Sequence, residues 1–224
     1  MTLSVVATSP ASVSGLSVGA SGWSYPSWKP GFYPVGTDSR DFLAYYAQRF
    51  PTVELNTTGY RLPAEEQFRR WAERTPPGFV FAPKLPGNRA RMVGEFSARV
   101  RALGDRLGPI RVQLVNPRDE GMLELLLGSL DPELRLAFDL PDPSWDGIEP
   151  RLAAAGAVRV NDLEHDASFR YVRFRDPPYT DDDLRAWAAR LRGRDEPVFA
   201  YFRHEDEPTA PRYAARLLEF VADQ

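Results

Sequence analysis

Short apolar runs recur along the chain, each rich in Val, Ile, Leu, Phe or Tyr and bounded by Gly, Pro, Asn or Asp. Such runs read as strands. They cover residues 16–20, 52–56, 79–84, 110–115, 134–139, 157–161, 169–175 and 197–202. Between most of them the apolar positions switch to helical spacing, as at Phe42, Leu43, Tyr46 and Phe50. The predicted helices are 39–50, 64–74, 94–107, 120–130, 147–155, 180–192 and 209–222. Thr75-Pro76-Pro77 stops the second, and Thr180 followed by Asp181, Asp182 and Asp183 suits the start of the sixth. Strands alternating with helices predict an α/β fold with parallel strands. Eight strand units make a compact (β/α)8 TIM barrel with short loops the simplest architecture, and an open doubly wound sheet is the alternative. Residues 1–15 read as a flexible N-terminal tail and 16–224 as a single barrel domain.

Period two sorts each strand into a helix-facing and an inward face. Val53 and Leu55, Phe79 and Phe81, Leu136 and Phe138, and Val172 and Phe174 suit the helix layer. The opposite faces carry Glu54, Lys84, Gln113, Asp139 and Arg173. Most lie at or near strand C-termini, the end at which barrel enzymes hold their sites. Unpaired charges do not survive inside a protein, so these groups are expected to pair, with Lys84 as a main counter-charge. Aromatics follow the strand ends: Trp23, Tyr25, Trp28, Tyr60 and Trp145. Their flat faces suit sugar rings or unstacked bases.

Composition narrows the chemistry. The 224 residues are 43% hydrophobic and 26% charged, with no cysteine, which excludes a disulfide scaffold, a thiolate metal site and a thiol nucleophile. Only His165 and His204 are present, so three histidine ligands are excluded. No apolar run approaches the roughly 18 residues of a membrane span, and the N-terminal residues do not resemble a signal peptide, so a cytoplasmic location is expected. The net charge of −3 disfavours a dedicated nucleic-acid binder. Of 28 basic residues only Lys29 and Lys84 are lysine, which sets Lys84 apart from background.

The segment Gly19-Ala-Ser-Gly-Trp-Ser-Tyr25 with Trp28 and Phe32-Tyr33-Pro34 resembles the opening of the YecE-like family, domain-of-unknown-function family 72. The resemblance continues in Tyr45-Tyr46, Val53-Glu-Leu-Asn-Thr57, Tyr60-Arg-Leu-Pro63, Trp71 and Phe81-Ala-Pro-Lys84, with weaker echoes at Gln113-Leu114, Ser144-Trp145, Val172-Arg173 and Tyr201-Phe202. It implies a TIM barrel like those of sugar isomerases and endonucleases, without an established activity. The chain departs from the family pattern at Pro86-Gly-Asn-Arg89, Asp139-Leu-Pro141-Asp142, Arg175-Asp176 and Gly59, where the family carries histidine, basic or aromatic residues.

The expected function is an enzyme acting on a small polyhydroxylated or phosphorylated substrate. Glu54, Lys84 and Asp139 are its candidate catalytic residues, the carboxylates as acid or base and Lys84 as oxyanion or imine former. Trp23, Tyr25, Trp28, Asn56, Tyr60, Gln113, Trp145, Arg173 and Arg175 are the candidate substrate-binding residues. No metal is expected under this reading. The alternative is a phosphoesterase or nuclease dependent on Mg or Mn, with Glu54, Asp139, Asp162 and His204 as ligands. The third is a non-catalytic ligand- or nucleic-acid-binding protein.

Overall fold

A computed structural model describes residues 15–87 and 92–223. The expected N-terminal tail falls almost wholly on residues 1–14, and Asn88 and Arg89 lie outside the described residues too. Among the described residues eight strands run in chain order: β1 (Leu16–Ser21), β2 (Thr52–Leu55), β3 (Val80–Pro83), β4 (Ile110–Gln113), β5 (Leu136–Asp139), β6 (Val158–Arg159), β7 (Arg170–Phe174) and β8 (Val198–Phe202). Seven α-helices are present among the described residues: α1 (Phe42–Ala47), α2 (Glu65–Glu73), α3 (Val93–Val100), α4 (Glu120–Ser129), α5 (Glu149–Ala154), α6 (Asp181–Leu191) and α7 (Thr209–Ala222). No helix joins β6 to β7. The acids at the start of α6 act as the sequence suggests: Thr180 Oγ1 accepts from the Asp183 N–H and Asp183 Oδ2 accepts from the Thr180 N–H. None of the described helices is long and apolar enough to cross a membrane.

All strand pairs are parallel, but they form two sheets rather than one continuous ladder. One has the order β3-β2-β1-β8-β7 and the other β4-β5-β6. The β3 and β4 edges meet at two isolated bridges, Phe81 with Leu107 and Lys84 with Arg111. The β6 and β7 edges meet where the Asn161 N–H donates to the Tyr171 carbonyl at 2.9 Å. There the Asn161 side chain takes over from the ladder. Its Oδ1 accepts from the Arg173 N–H at 2.6 Å and its Nδ2 donates to the Arg173 carbonyl at 3.2 Å. Asn161 adopts φ 67°, a left-handed conformation that asparagine tolerates better than most residues.

The period-two assignment of faces holds. Val53, Leu55, Phe79, Phe81, Val172 and Phe174 are buried in the layer beneath the helices, each worth about 1.5–3 kcal/mol of transfer free energy. A second apolar core lies on the opposite face and draws from both sheets: Ala82, Ala137, Val158, Tyr171, Phe199 and Tyr201. Thr52 Oγ1 and the Tyr201 hydroxyl share a hydrogen bond of 2.8 Å among these inward residues. Between β1 and β2 the Tyr46 hydroxyl enters the ladder itself, accepting from the Ala20 N–H and donating to the Thr52 carbonyl. Gly19 makes room for it, since a Cβ there would lie 2.8 Å from that hydroxyl and 2.1 Å from the Thr52 oxygen.

Asn161→Ala removes both side-chain hydrogen bonds at the β6–β7 seam and places alanine at a positive φ, for an expected loss of about 2–4 kcal/mol. Asn161→Gly should recover about 1 kcal/mol of that, because glycine accepts the backbone conformation. Urea denaturation of the two variants checks both values, and equal losses would remove the backbone component from this account.

Candidate functional site

The inward polar residues of β2, β4, β5 and β7 form one buried ion network. Glu54, fully buried on β2, accepts from Ser21 Oγ at 2.5 Å and from the Tyr171 hydroxyl at 2.8 Å. Arg173 Nε lies 3.1 Å from Glu54 Oε1, and an Arg111 nitrogen lies 3.5 Å from Oε2. Arg111 turns its Nε and a second terminal nitrogen on Asp139 Oδ2, at 2.9 and 2.5 Å. Arg175 reaches Asp139 Oδ1 at 2.5 Å. The arginine–carboxylate contacts thus link β2 to β4 and β7, β4 to β5, and β5 to Arg175 just past the end of β7, joining the two sheets. Burial opposes the Glu54 charge more than any other single influence. Arg173 and Arg111, with the Ser21 and Tyr171 hydroxyls, outweigh it and hold the carboxyl at about 2. Glu54 is therefore an anion at neutral pH.

Lys84 stands apart from this pairing. Among the described residues it makes no ion pair, and its ammonium instead lies 5.3 Å from the centre of the exposed Tyr60 ring. Its stem runs against Gly59, where a Cβ would come within 2.7 Å of the Lys84 Cδ. Burial, followed by the charge of Arg111, pushes the Lys84 amine below its ordinary value. The cluster then holds two carboxylates against Lys84, Arg111, Arg173 and Arg175, an excess of two positive charges. One terminal nitrogen of Arg111 is buried without a hydrogen bond.

Tyr25 and His204 close the edge of the cluster. Their rings stack at 4.6 Å with 13° between planes, and the Tyr25 hydroxyl donates to the Ser21 carbonyl. His204 Nδ1 is buried without a hydrogen-bond partner. Burial, then the charges of Arg173 and Arg203, lowers the His204 pKa, so the imidazole is neutral at pH 7. Burial, then Glu54, pushes the Tyr25 phenol up. A cavity of about 470 Å³ opens beside Glu54, with Trp23, Tyr25, Asn56 and Trp71 among its walls. The turn that brings Asn56 to this cavity also carries Gly59 against Lys84.

A family model described as "Protein of unknown function DUF72" matches residues 17–224. The chain belongs to this family. UPF0759 protein YecE of Escherichia coli strain K12 is 32% identical over 140 residues, which cover 57% of this chain and 49% of that protein. The chain thus spans about half the length of the curated relatives it matches. A crystal structure of a DUF72 family protein from Enterococcus faecalis V583 superposes with a TM-score of 0.76 at 15% identity, covering 92% of this chain and 95% of that one. A second crystal structure of that protein gives 0.73 at 14% identity, covering 91% and 96%. These likenesses show the α/β fold; the activity of a DUF72 protein does not follow from them.

In this DUF72 chain the structure gathers Glu54, Asp139, Arg173 and Arg175 into the network, places Lys84 beside it, and puts Trp23, Tyr25 and Asn56 on the cavity. Gln113 sits at the end of β4 in register with Asp139 and is partly exposed. Two expected binding aromatics lie elsewhere. Trp28 is fully buried, packs on Phe32 and Tyr33, and donates its indole N–H to the Glu205 carbonyl. Trp145 is buried under the loop after β4 and donates to the Asn116 carbonyl. The four alternative metal ligands are not brought together. Glu54 and Asp139 are engaged by arginines, and Asp162 accepts from the Glu164 and His165 N–H groups in its own turn. No group of three or more metal-ligating side chains occurs among the described residues. The expected role of Lys84 as internal counter-charge falls instead to Arg111, which is not among the residues expected from the sequence. Arg111 stands two residues before Gln113, and that spacing alone places it on the inward face.

Arg111→Met leaves Asp139 and Glu54 each short of a partner inside the protein, and is expected to cost about 3–5 kcal/mol. Lys84→Met breaks no ion pair and is expected to cost under about 1 kcal/mol. Guanidinium denaturation of the two variants tests this ordering, and the reverse order would redraw the network around Lys84. The depressed Glu54 pKa gives a second test. Its stabilising contribution is present above about pH 4.5 and is lost as pH falls toward 2, on the order of 3 kcal/mol in total. Glu54→Gln should lack this part of the acid slope when unfolding free energies are measured from about pH 5 to about pH 2.5.

Proposed function

We propose that this protein is a (β/α)8 barrel interrupted at two seams, and an enzyme for a small polyhydroxylated substrate that carries a phosphate or carboxylate. The barrel reading is supported by the inner core of Ala82, Ala137, Val158, Tyr171 and Tyr201, to which both sheets contribute, and by the contacts at the β3–β4 and β6–β7 edges. The functional reading rests on one observation: the excess of two positive charges in a largely buried cluster, which a cavity walled by aromatic rings meets at Glu54. An anion would balance that excess, and the Trp23 ring on the cavity wall would carry the apolar side of a sugar-like body.

Within this reading Glu54 and Asp139 orient the arginines, since both carboxylates are already engaged by guanidinium groups. Lys84 and His204 hold unused capacity. Lys84 would stabilise charge developing on a substrate oxygen, and His204, neutral with a free Nδ1, would take or return a proton. The metal-dependent phosphoesterase reading has less support, because its carboxylates would first have to leave their arginines.

A thermal-shift panel of inorganic phosphate, sugar phosphates, neutral sugars, magnesium chloride and single-stranded DNA tests the proposal. A phosphate-bearing ligand at about 100 times its Kd should add roughly 2.7 kcal/mol of stability. The shift should shrink in Lys84→Ala. Stabilisation by neutral sugars alone, by DNA alone or by magnesium alone would overturn it.

A further inference from the structure

Every cation of the buried cluster except Lys84 is tied to a carboxylate. Its amine lies 5.3 Å from the centre of the exposed Tyr60 ring. The stem packs against the bare backbone of Gly59, where a Cβ would meet its Cγ, Cδ and Cε. Arg173, whose charge reaches Lys84, spends its Nε on Glu54, and Arg175 uses one terminal nitrogen on Asp139 and keeps 28% of its side chain exposed, so donors of the cluster remain for an anion. An uncommitted amine next to spare guanidinium donors is the arrangement that captures a carbonyl group attached to an anion.

We propose that Lys84 forms an imine with small aldehydes or ketones that carry a phosphate or carboxylate, the neighbouring arginines holding the anionic group. The proposal rests on the anion-binding reading above and adds a covalent step to it. The lone pair of the neutral Lys84 Nζ forms a bond to the carbonyl carbon, and the carbonyl π pair moves to oxygen. After proton transfer that oxygen leaves as water with the two amine hydrogens, and the carbon–nitrogen double bond remains. No oxidant or reductant takes part. The lowered pKa of Lys84 raises the share of amine that carries a free lone pair at neutral pH.

The composition makes the test clean, because Lys29 is the only other lysine of the chain. The purified protein is incubated with dihydroxyacetone phosphate, pyruvate or uncharged dihydroxyacetone, and sodium borohydride is added to deliver hydride to any imine carbon. Intact mass and peptide mapping then locate the secondary amine. Trapping of a charged ketone at Lys84, at least about tenfold above Lys29, is expected. Excess inorganic phosphate should suppress it, Lys29→Arg should leave it unchanged, and Lys84→Arg should abolish it without lowering the thermal midpoint. Whichever of the two charged ketones is trapped tells a phosphate site from a carboxylate site. Equal labelling of both lysines, or equal labelling by uncharged dihydroxyacetone, overturns the proposal. Thermal stabilisation by phosphate without any adduct overturns the imine and leaves the anion-binding reading standing. Absence of both removes the two together.

Discussion

The chain of ion pairs from Glu54 through Arg111 to Asp139, and on to Arg175 and Arg173, is the constraint around which the rest of the structure is arranged. Backbone ladders do not run unbroken around the strands, and at the edges between the two sheets few main-chain hydrogen bonds are made. Charged side chains cross these edges instead. Removing such groups from water costs several kcal/mol each, and only dense mutual pairing repays it. The hydroxyls of Ser21 and Tyr171 complete the pairing by filling the remaining lone pairs of Glu54. The network therefore ties β1, β2, β4, β5 and β7 to one geometry and leaves the positive charge of Lys84 unbalanced beside them.

Much of this was legible in the sequence because strand periodicity is strict. Every strand was found within a few residues of its observed bounds, and the split of Phe79 and Phe81 from Ala82 and Lys84 followed from alternation alone. Glu54, Asp139 and Arg173 stood out as charges on faces where apolar residues belong. Arg111 obeyed the same rule but was hidden among many arginines and beside the more conspicuous Gln113. Pairing partners were not legible, since alternation fixes a direction and not a distance; Lys84 points the right way and still meets no carboxylate.

The aromatic residues show the same limit. Trp23 and Trp28 are five residues apart, yet one borders the cavity and the other is sealed beneath Phe32 and Tyr33. Loop conformation decides between those fates, and no hydrophobic period runs through a loop. The seams were illegible for a related reason. Asn161 replaces a ladder residue with its own side-chain amide, which a pattern of apolar positions does not record. Membership of the DUF72 family and the Enterococcus faecalis structures support the fold across these gaps while adding no chemistry to it.

The Tyr46 hydroxyl, lodged between β1 and β2, gives the outer layer a mechanical hold on the inner one. Tyr46 belongs to α1, so that helix is keyed into the strand pairing like a pin through two plates and cannot slide independently. The next residue along β1 after Ala20 is Ser21, whose hydroxyl aims the Glu54 carboxylate. A displacement of α1 on the protein exterior is thus transmitted through one phenol to the buried charge from which the ion network begins.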